Sequence, residues 1–414
     1  MSPYALFFLA ALLLIHAVDV FSRWLNSRSL DPRLPEEFQG VFGAEAYRRS
    51  QEYERTKTRF DVLQSSAGLA VLLVFWFVGG FERLDAWVRG WALSEVLTGL
   101  SYIGLLFLAN EAVSLPFEVY RTFVIEERFG FNKTSPRLFA ADRLKSYGLA
   151  ALIGGPLLAL ILFFFGWAGD AAWAWAWGAA AVFRVLLQLV GPTWIMPLFN
   201  KFTPLPDGEL RDAIFRYAAS VGFPLRNIFV MDGSKRSSKT NAFFSGFGKN
   251  KRIALFDTLI DKHAVEELVA VIAHEIGHYK RGHVWKGMAL SLANYGLLFY
   301  LLSLFVRAPV LFEAFGVTRA SVYVGLLLFG ICYAPVSFLL AIATQAFSRR
   351  NEYQADRYAA ETVADRNALV RALKTLSVSN LSNLTPHPLF VFLHYTHPPV
   401  LRRIAALRAA PSAG

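Results

Sequence analysis

Residues 147–198, YGLAALIGGPLLALILFFFGWAGDAAWAWAWGAAAVFRVLLQLVGPTWIMPL, contain two long apolar runs, at about 147–167 and 171–198. A short turn, GWAGD at 166–170, joins them. A helix needs about 20 consecutive apolar residues to cross about 30 Å of hydrocarbon. Both runs reach that length, so the segment predicts two membrane helices joined by a tight turn.

Five further apolar runs give the same indication, at about 4–22, 62–80, 95–115, 288–306 and 321–343. The composition agrees, because 55% of the 414 residues are hydrophobic, well above the usual share in a soluble domain. No Lys or Arg precedes the first run, and Arg23 and Arg28 follow it, so we expect a retained anchor there, not a cleaved signal. The sequence therefore predicts a mainly α-helical membrane protein with seven transmembrane helices.

Positive charges are distributed very unevenly between the connecting segments. Of the 42 Lys and Arg residues, 37 lie in the segments 23–61, 116–146, 199–287 and 344–414. Positively charged connections remain in the cytoplasm, which predicts an external N-terminus and a cytoplasmic C-terminus. Topology and anionic lipid headgroups then explain the net charge of +11, so we expect a lipid bilayer as partner and no nucleic acid.

The chain divides into four parts according to whether each part lies in the membrane or in water. Residues 1–198 hold five transmembrane helices, 199–287 form a cytosolic insertion, 288–343 hold two more helices, and 344–414 form a cytosolic C-terminal region. Helical periodicity and β-propensity predict the elements of the insertion. These are a helix over 207–221, a strand over 226–232, a hairpin of strands 240–247 and 251–256 around the turn GKN at 248–250, and a helix over about 262–281.

The last of these predicted helices carries the sequence HEIGH at 274–278. Its two histidines, His274 and His278, lie one helical turn apart and can bind one metal ion together. The one cysteine, Cys332, lies inside the last apolar run, so the ligands must be nitrogen and oxygen atoms. A zinc ion bound in this way, one per chain, is the cofactor that the sequence predicts.

A catalytic zinc ion normally has a third protein ligand and keeps one position for water. We predict Glu352 as that ligand, from the sequence NEYQAD at 351–356, which follows the last apolar run and is interpreted as the start of another helix. Asp356, one turn further, is expected to accept the free N–H of a zinc-bound histidine. Glu275 would act as the general base of peptide hydrolysis.

Two other interpretations of the motif are open. A solvated helix face can carry two histidines by chance, but it does not explain Glu352. A transporter or membrane scaffold with a purely structural zinc site would need four protein ligands and no general base, whereas this sequence offers three ligands and Glu275. A zinc site inside the membrane does not fit, since the apolar run 268–276 is too short to cross a bilayer.

Beyond these motifs, much of the chain resembles the type I CAAX prenyl protease family, seven-span zinc endopeptidases that process isoprenylated proteins. The matching stretches are HEIGH, EYQAD, VIEERFGFNKT at 124–134, PLFNKFTPL at 197–205, SKTNAFFSG at 238–246, KRIALFDTL at 251–259 and THPP at 396–399. The resemblance implies a ring of seven helices around a water-filled chamber, with a zincin-like metalloprotease domain on its cytosolic side.

The resemblance also implies further site residues and a substrate. An extended peptide would bind along the edge of the 240–256 hairpin, at Asn241 and Ala242. His397 and Arg403 would reach the active site and stabilise developing negative charge or grip substrate oxygens. The expected substrate is a peptide or protein cleaved near its C-terminus, with isoprenylation as a feature of the family's substrates.

The C-terminal tail departs from the eukaryotic members of that family. Residues 408–414, RAAPSAG, lack a basic endoplasmic-reticulum retrieval signal, and the Ala-, Leu- and Arg-rich usage suits a bacterial chain. We therefore expect a bacterial inner membrane. In that setting a membrane-protein quality-control protease without prenyl specificity is the alternative function.

Overall fold

Helices form most of the structure, a computed structural model that describes residues 2–245 and 252–409. Ten α-helices belong to the N-terminal part and the insertion between the fifth and sixth spans: α1 (Pro3–Arg28), α2 (Ala44–Phe77), α3 (Gly80–Arg89), α4 (Glu95–Tyr120), α5 (Pro136–Leu149), α6 (Gly155–Trp167), α7 (Ala172–Val190), α8 (Glu209–Ser220), α9 (Asp257–Ile260) and α10 (Val265–Lys280). Seven more follow within the described residues: α11 (His283–Phe305), α12 (Pro309–Ala314), α13 (Val322–Cys332), α14 (Ala334–Thr362), α15 (Asn367–Ser379), α16 (Pro388–His394) and α17 (Val400–Ala409).

Six helical segments of the described chain are long and apolar enough to cross a membrane, and a bent pair makes a seventh. The straight segments are α1, α2, Glu95–Glu126, Pro136–Trp167, Gly169–Leu198 and α11. The seventh combines α13 and α14, which meet at an angle of 54°. Pro335 in the first turn of α14 explains the bend, because proline lacks the N–H that would continue the helix. The seven predicted spans are thus confirmed.

The spans pack in chain order into a closed ring. Contacts run from α1 to α2, α4, α6, α7, α11 and α13, and α14 returns to α1. In each straight span, at most 17% of the most apolar window is buried. The helices therefore touch through narrow strips.

Several helices continue well beyond the apolar runs from which they were predicted. The 34 residues of α2 span about 51 Å, which exceeds the hydrocarbon thickness, so its polar first half extends beyond the membrane. Similarly, α14 carries Glu352 on the same helix that completes the seventh span. The prediction of a separate helix starting near Glu352 was wrong, because hydropathy falls there while no Gly or Pro interrupts the helix.

A four-stranded sheet lies in the insertion between the fifth and sixth spans. Its strands are β1 (Phe202–Pro204), β2 (Asn227–Met231), β3 (Ala242–Ser245) and β4 (Arg252–Phe256), in the order β1-β2-β4-β3. β4 pairs in parallel with β2 and antiparallel with β3, which confirms the predicted hairpin partners and places β3 at an edge. The predicted turn at 248–250, with residues 246, 247 and 251, lies outside the described residues. The three-residue strand β1, which ends in a proline, was not predicted.

The core of the part outside the membrane positions α10 between this sheet and α14. Leu268, Ile272 and Ile276 form the apolar stripe of α10, and all three are at most 1% exposed. Opposite them, α10 packs closely on α14 at Gly277, where an added Cβ atom would lie 3.1 Å from Ala355 Cα. This close approach brings the helix of the HEIGH sequence against the helix that carries Glu352.

Replacing Gly277 by Val should push α10 and α14 apart and separate the two histidines from Glu352. We expect zinc affinity to fall at least about tenfold, because ligand positions must be held within a few tenths of an ångström. Gly68→Ala in α2 is the matched control, since a Cβ atom there meets nothing within 4 Å. Zinc content and competition with a chelator measure the effect, and a Gly277→Val protein with normal zinc affinity would contradict it.

Candidate metal centre

Three side chains from two helices converge on one point. The Nε2 atoms of His274 and His278 are 3.1 Å apart. Glu352 places Oε2 3.4 Å from Nε2 of His274 and Oε1 3.3 Å from Nε2 of His278. Ligand atoms about 2.0–2.1 Å from a tetrahedral zinc ion lie about 3.3 Å from one another. The three separations match that value, so these residues fit a zinc ion.

The Glu352 carboxylate provides independent support for a cation. Glu352 is 4% exposed, and its buried Oε2 atom has no hydrogen-bond partner among the described residues. A buried carboxylate oxygen without a partner is costly unless a cation neutralises it. A zinc ion between the three side chains would remove that cost.

Asp356 holds His274 in the orientation that metal binding requires. Asp356 Oδ1 lies 2.9 Å from Nδ1 of His274 and accepts its N–H, which leaves the Nε2 lone pair for a metal. Burial disfavours a charged His274, but the hydrogen bond to Asp356 and the adjacent Glu352 carboxylate outweigh it and raise the pKa of His274 to about 9. The surroundings therefore favour a positive charge at this position, as a metal site should.

His278 is oriented by a hydrogen-bonded chain that the sequence analysis did not predict. Its Nδ1 atom lies 3.0 Å from Nδ1 of His283, and Nε2 of His283 lies 3.0 Å from Oε1 of Gln354. Since the amide oxygen only accepts, His283 donates from Nε2 and accepts at Nδ1 the N–H of His278. Nε2 of His278 is then free for a metal. In the sequence, only the position of His283, five residues after His278, could have indicated this hydrogen-bonded chain.

Replacing Gln354 by Leu should loosen this chain and leave the tautomer of His278 undetermined. We expect zinc to dissociate about tenfold faster or more, the usual cost of removing a partner of a metal-bound histidine. Gln345→Leu is a matched control on the same helix, because the buried Oε1 atom of Gln345 has no hydrogen-bond partner in the described chain. Zinc release to a chromogenic chelator measures the rate, and equal rates for the two variants would contradict the assignment.

The C-terminal region contributes the two residues that the resemblance indicated. His397 places Nε2 3.4 Å from Oε1 of Glu352 and is largely exposed to the adjoining cavity. Arg403 donates two hydrogen bonds to Asp356, from Nε at 2.8 Å and from Nη2 at 2.6 Å. Its remaining Nη1 lies 3.8 Å from Oε2 of Glu352. The structure therefore brings His397 and Arg403 to the metal centre, with Arg403 fixed by Asp356.

Two adjoining cavities connect the other predicted residues to this centre. One has a volume of about 430 Å³, and the other, which extends into the helix ring, about 640 Å³. Glu275, Asn241 and Ala242 line both cavities together with His274. All the residues singled out in the sequence thus lie around one site.

The edge strand β3 turns the backbone groups of Ala242 away from the rest of the sheet, beside the metal centre. Asn241 O accepts a hydrogen bond from Phe256 N at 3.1 Å, so the following N–H, that of Ala242, points away from β4. The Asn241 side chain caps it, with Oδ1 2.9 Å from Ala242 N. Ala242 therefore offers its N–H and C=O at an unpaired sheet edge, where an extended peptide can add as a further strand.

The helix ring and the histidine–glutamate centre define a membrane-spanning zinc metallopeptidase. Comparison with protein families agrees, since residues 24–201 match a family described as CAAX prenyl protease N-terminal, five membrane helices. Residues 204–410 match peptidase family M48. The chain belongs to peptidase family M48 and is a zinc metallopeptidase of the membrane.

Individual relatives cover almost the whole chain. CAAX prenyl protease 1 of Saccharomyces cerevisiae is 36% identical over 91% of this chain and 89% of its own length. The CAAX prenyl protease 1 homolog of Oryza sativa is 36% identical over 99% and 98%, and that of Homo sapiens 32% over 91% and 88%. The crystal structure of S. mikatae Ste24p has a TM-score of 0.92, with 34% identity, covering 98% of this chain and 99% of that one.

Proposed function

We propose that this protein hydrolyses peptide bonds near the C-terminus of isoprenylated CAAX-type polypeptides at the membrane. One observation carries the proposal: the predicted zinc ligands, Glu275 and the open edge of β3 line one cavity that reaches into the helix ring. A lipid-modified peptide can approach such a cavity from the ring interior. The names of the relatives support the CAAX substrate.

Each residue of the site has a role in the proposed reaction. His274, His278 and Glu352 would hold a zinc ion, which when bound would polarise the scissile carbonyl and lower the pKa of a water molecule. Glu275, beside the ligands on α10, takes the proton of the attacking water and delivers it to the leaving amine. The protein therefore moves the proton with a carboxylate that does not bind the metal.

Binding and charge stabilisation fall to the residues around the ligands. The backbone of Ala242 holds the substrate as an added strand, with its N–H released from the Asn241 side chain. His397 and Nη1 of Arg403 face the region where negative charge develops on the scissile carbonyl oxygen. Asp356 keeps Arg403 in place while it also orients His274, so one carboxylate serves both groups.

Incubation of the purified enzyme with prenylated and unprenylated peptides of one CAAX sequence tests the function. Mass spectrometry should find one cleavage, between the prenylated cysteine and the three residues that follow it. Cleavage at many internal positions, without preference for the prenylated peptide, would instead favour general membrane-protein quality control.

We further infer that the zinc domain and C-terminus lie in the cytoplasm, the N-terminus outside, in a bacterial inner membrane. The unequal distribution of Lys and Arg between the two faces of the ring supports this orientation. Cys332 is the one cysteine of the chain. Its replacement by serine therefore gives a background in which a single cysteine at position 319 can be compared with one at position 402 in intact cells. A membrane-impermeant thiol reagent should label position 319 only, and labelling of position 402 alone would reverse the orientation.

A further inference from the structure

Arg184 is a cation inside the helix ring without an acidic partner. It lies on α7 and is half-buried, and its Nη1 donates to Oε1 of Gln188 at 3.0 Å. Among the described residues, no Asp or Glu oxygen lies within 4.0 Å of its guanidinium. Two other arginines of the ring are paired with carboxylates, Arg121 with Asp61 at 2.6 Å and Arg143 with Glu111 at 3.7 Å.

An unpaired arginine within a membrane span is a candidate ligand-binding group. Charged side chains within membrane spans face an interior cavity or a partner charge, and they mark functional sites by default. Arg184 lines the same cavity of about 640 Å³ as the metal ligands. The position of Arg184 therefore indicates that it binds an anionic group of the substrate.

The packing of α7 on α11 sets the height of Arg184 relative to the metal centre. The two helices run antiparallel, and Trp177 Nε1 donates to Leu292 O at 2.9 Å while the ring of Trp177 faces Gly296. Arg184 follows Trp177 by seven residues, or about 10 Å along the axis. It therefore lies level with about residues 285–289 of α11, within about 10 Å of His283 along that helix.

We propose that Arg184 binds the free C-terminal carboxylate of the substrate, an inference that rests on the proposed function. A CAAX sequence ends three residues after its cysteine. In extended form, at about 3.3 Å per residue, these residues place the terminal carboxylate about 10 Å from the scissile bond. Arg184 and the three metal ligands line the same cavity, so a carboxylate three residues beyond the scissile bond can meet Arg184 there.

A planar guanidinium suits this role, because it can bind a carboxylate with two parallel hydrogen bonds. Gln188 holds the side chain through Nη1, which leaves the other N–H groups for a ligand. The metal centre and Arg184 lie at different positions in the cavity. Together they fix the number of substrate residues between the cleaved bond and the C-terminus of the substrate. The enzyme then releases a tripeptide of fixed length.

Two prenylated peptides of identical sequence, one ending in a free acid and one in an amide, test the proposal. The wild-type enzyme should cleave the acid with a kcat/KM at least about tenfold higher, since a charge-assisted pair is lost with the amide. Arg184→Met should cleave both peptides at the rate of the amide, with unchanged zinc content. Arg184→Lys, which keeps the charge, should retain part of the preference.

Arg307→Met is the matched control, because Arg307 donates to Phe165 O elsewhere in the ring and its removal changes the net charge equally. This variant should keep the full preference for the acid. Equal cleavage of acid and amide by the wild-type enzyme would overturn the role of Arg184 while leaving the proposed function intact. The same holds if Arg184→Met keeps the preference. Failure of the wild-type enzyme to cleave either peptide would overturn the proposed function and this inference with it.

Discussion

A Glu275→Gln variant should bind zinc as the wild-type protein does and lose nearly all proteolysis. The amide keeps the size of the side chain but cannot take a proton from the attacking water. Since Glu275 does not contribute a ligand, the three atoms around the metal remain in place. We expect kcat to fall by at least about a thousandfold, within the range for removal of a general base.

Two measurements on the same preparation check this expectation. Metal analysis should give one zinc per chain, and a prenylated peptide assay should show the loss of turnover. Glu266→Gln is the matched control, because Glu266 lies exposed in the first turn of the same helix and should change neither quantity. An active Glu275→Gln enzyme would refute the assigned base, and a zinc-free one would show that Glu275 supports the metal instead.

Glu352→Ala should also be inactive, but for a different reason, because this variant loses zinc whereas Glu275→Gln keeps it. Each carboxylate oxygen of Glu352 faces one histidine Nε2 atom, at 3.3 and 3.4 Å, so the substitution removes one of three ligands. Two imidazoles alone hold zinc weakly. We expect an affinity lower by at least about a hundredfold and no measurable proteolysis.

Chelator competition, followed by addition of zinc in excess, separates this effect from misfolding. The thermal unfolding of Glu352→Ala should match that of zinc-free wild-type protein. Glu361→Ala, an exposed position on the same helix, should bind zinc normally. Unchanged zinc affinity and activity in Glu352→Ala would exclude Glu352 as a ligand.

The local features of this protein were predictable because they depend on neighbours along the chain. Seven spans follow from runs of apolar residues, and His274 and His278 share a face because four residues make about one helical turn. The apolar stripe of α10 follows from the same period. Glu352 and Asp356 were recognised as candidates for the same reason, from their spacing of one turn.

Contacts between distant segments were decided by the tertiary structure alone. Hydropathy predicts that the spans in α2 and α14 end where the residues become polar, although both helices continue beyond the membrane. The tautomer of His278 depends on Gln354, which belongs to another helix and has no sequence signal of its own. Likewise, only the packing of α7 on α11 places Arg184 in the cavity of the metal centre. The sequence by itself determined which groups can bind zinc and which segments can cross a membrane, because both depend on local chemistry. Their arrangement around one cavity depends on close packing, as at Gly277 and Ala355, which joins residues far apart in the chain.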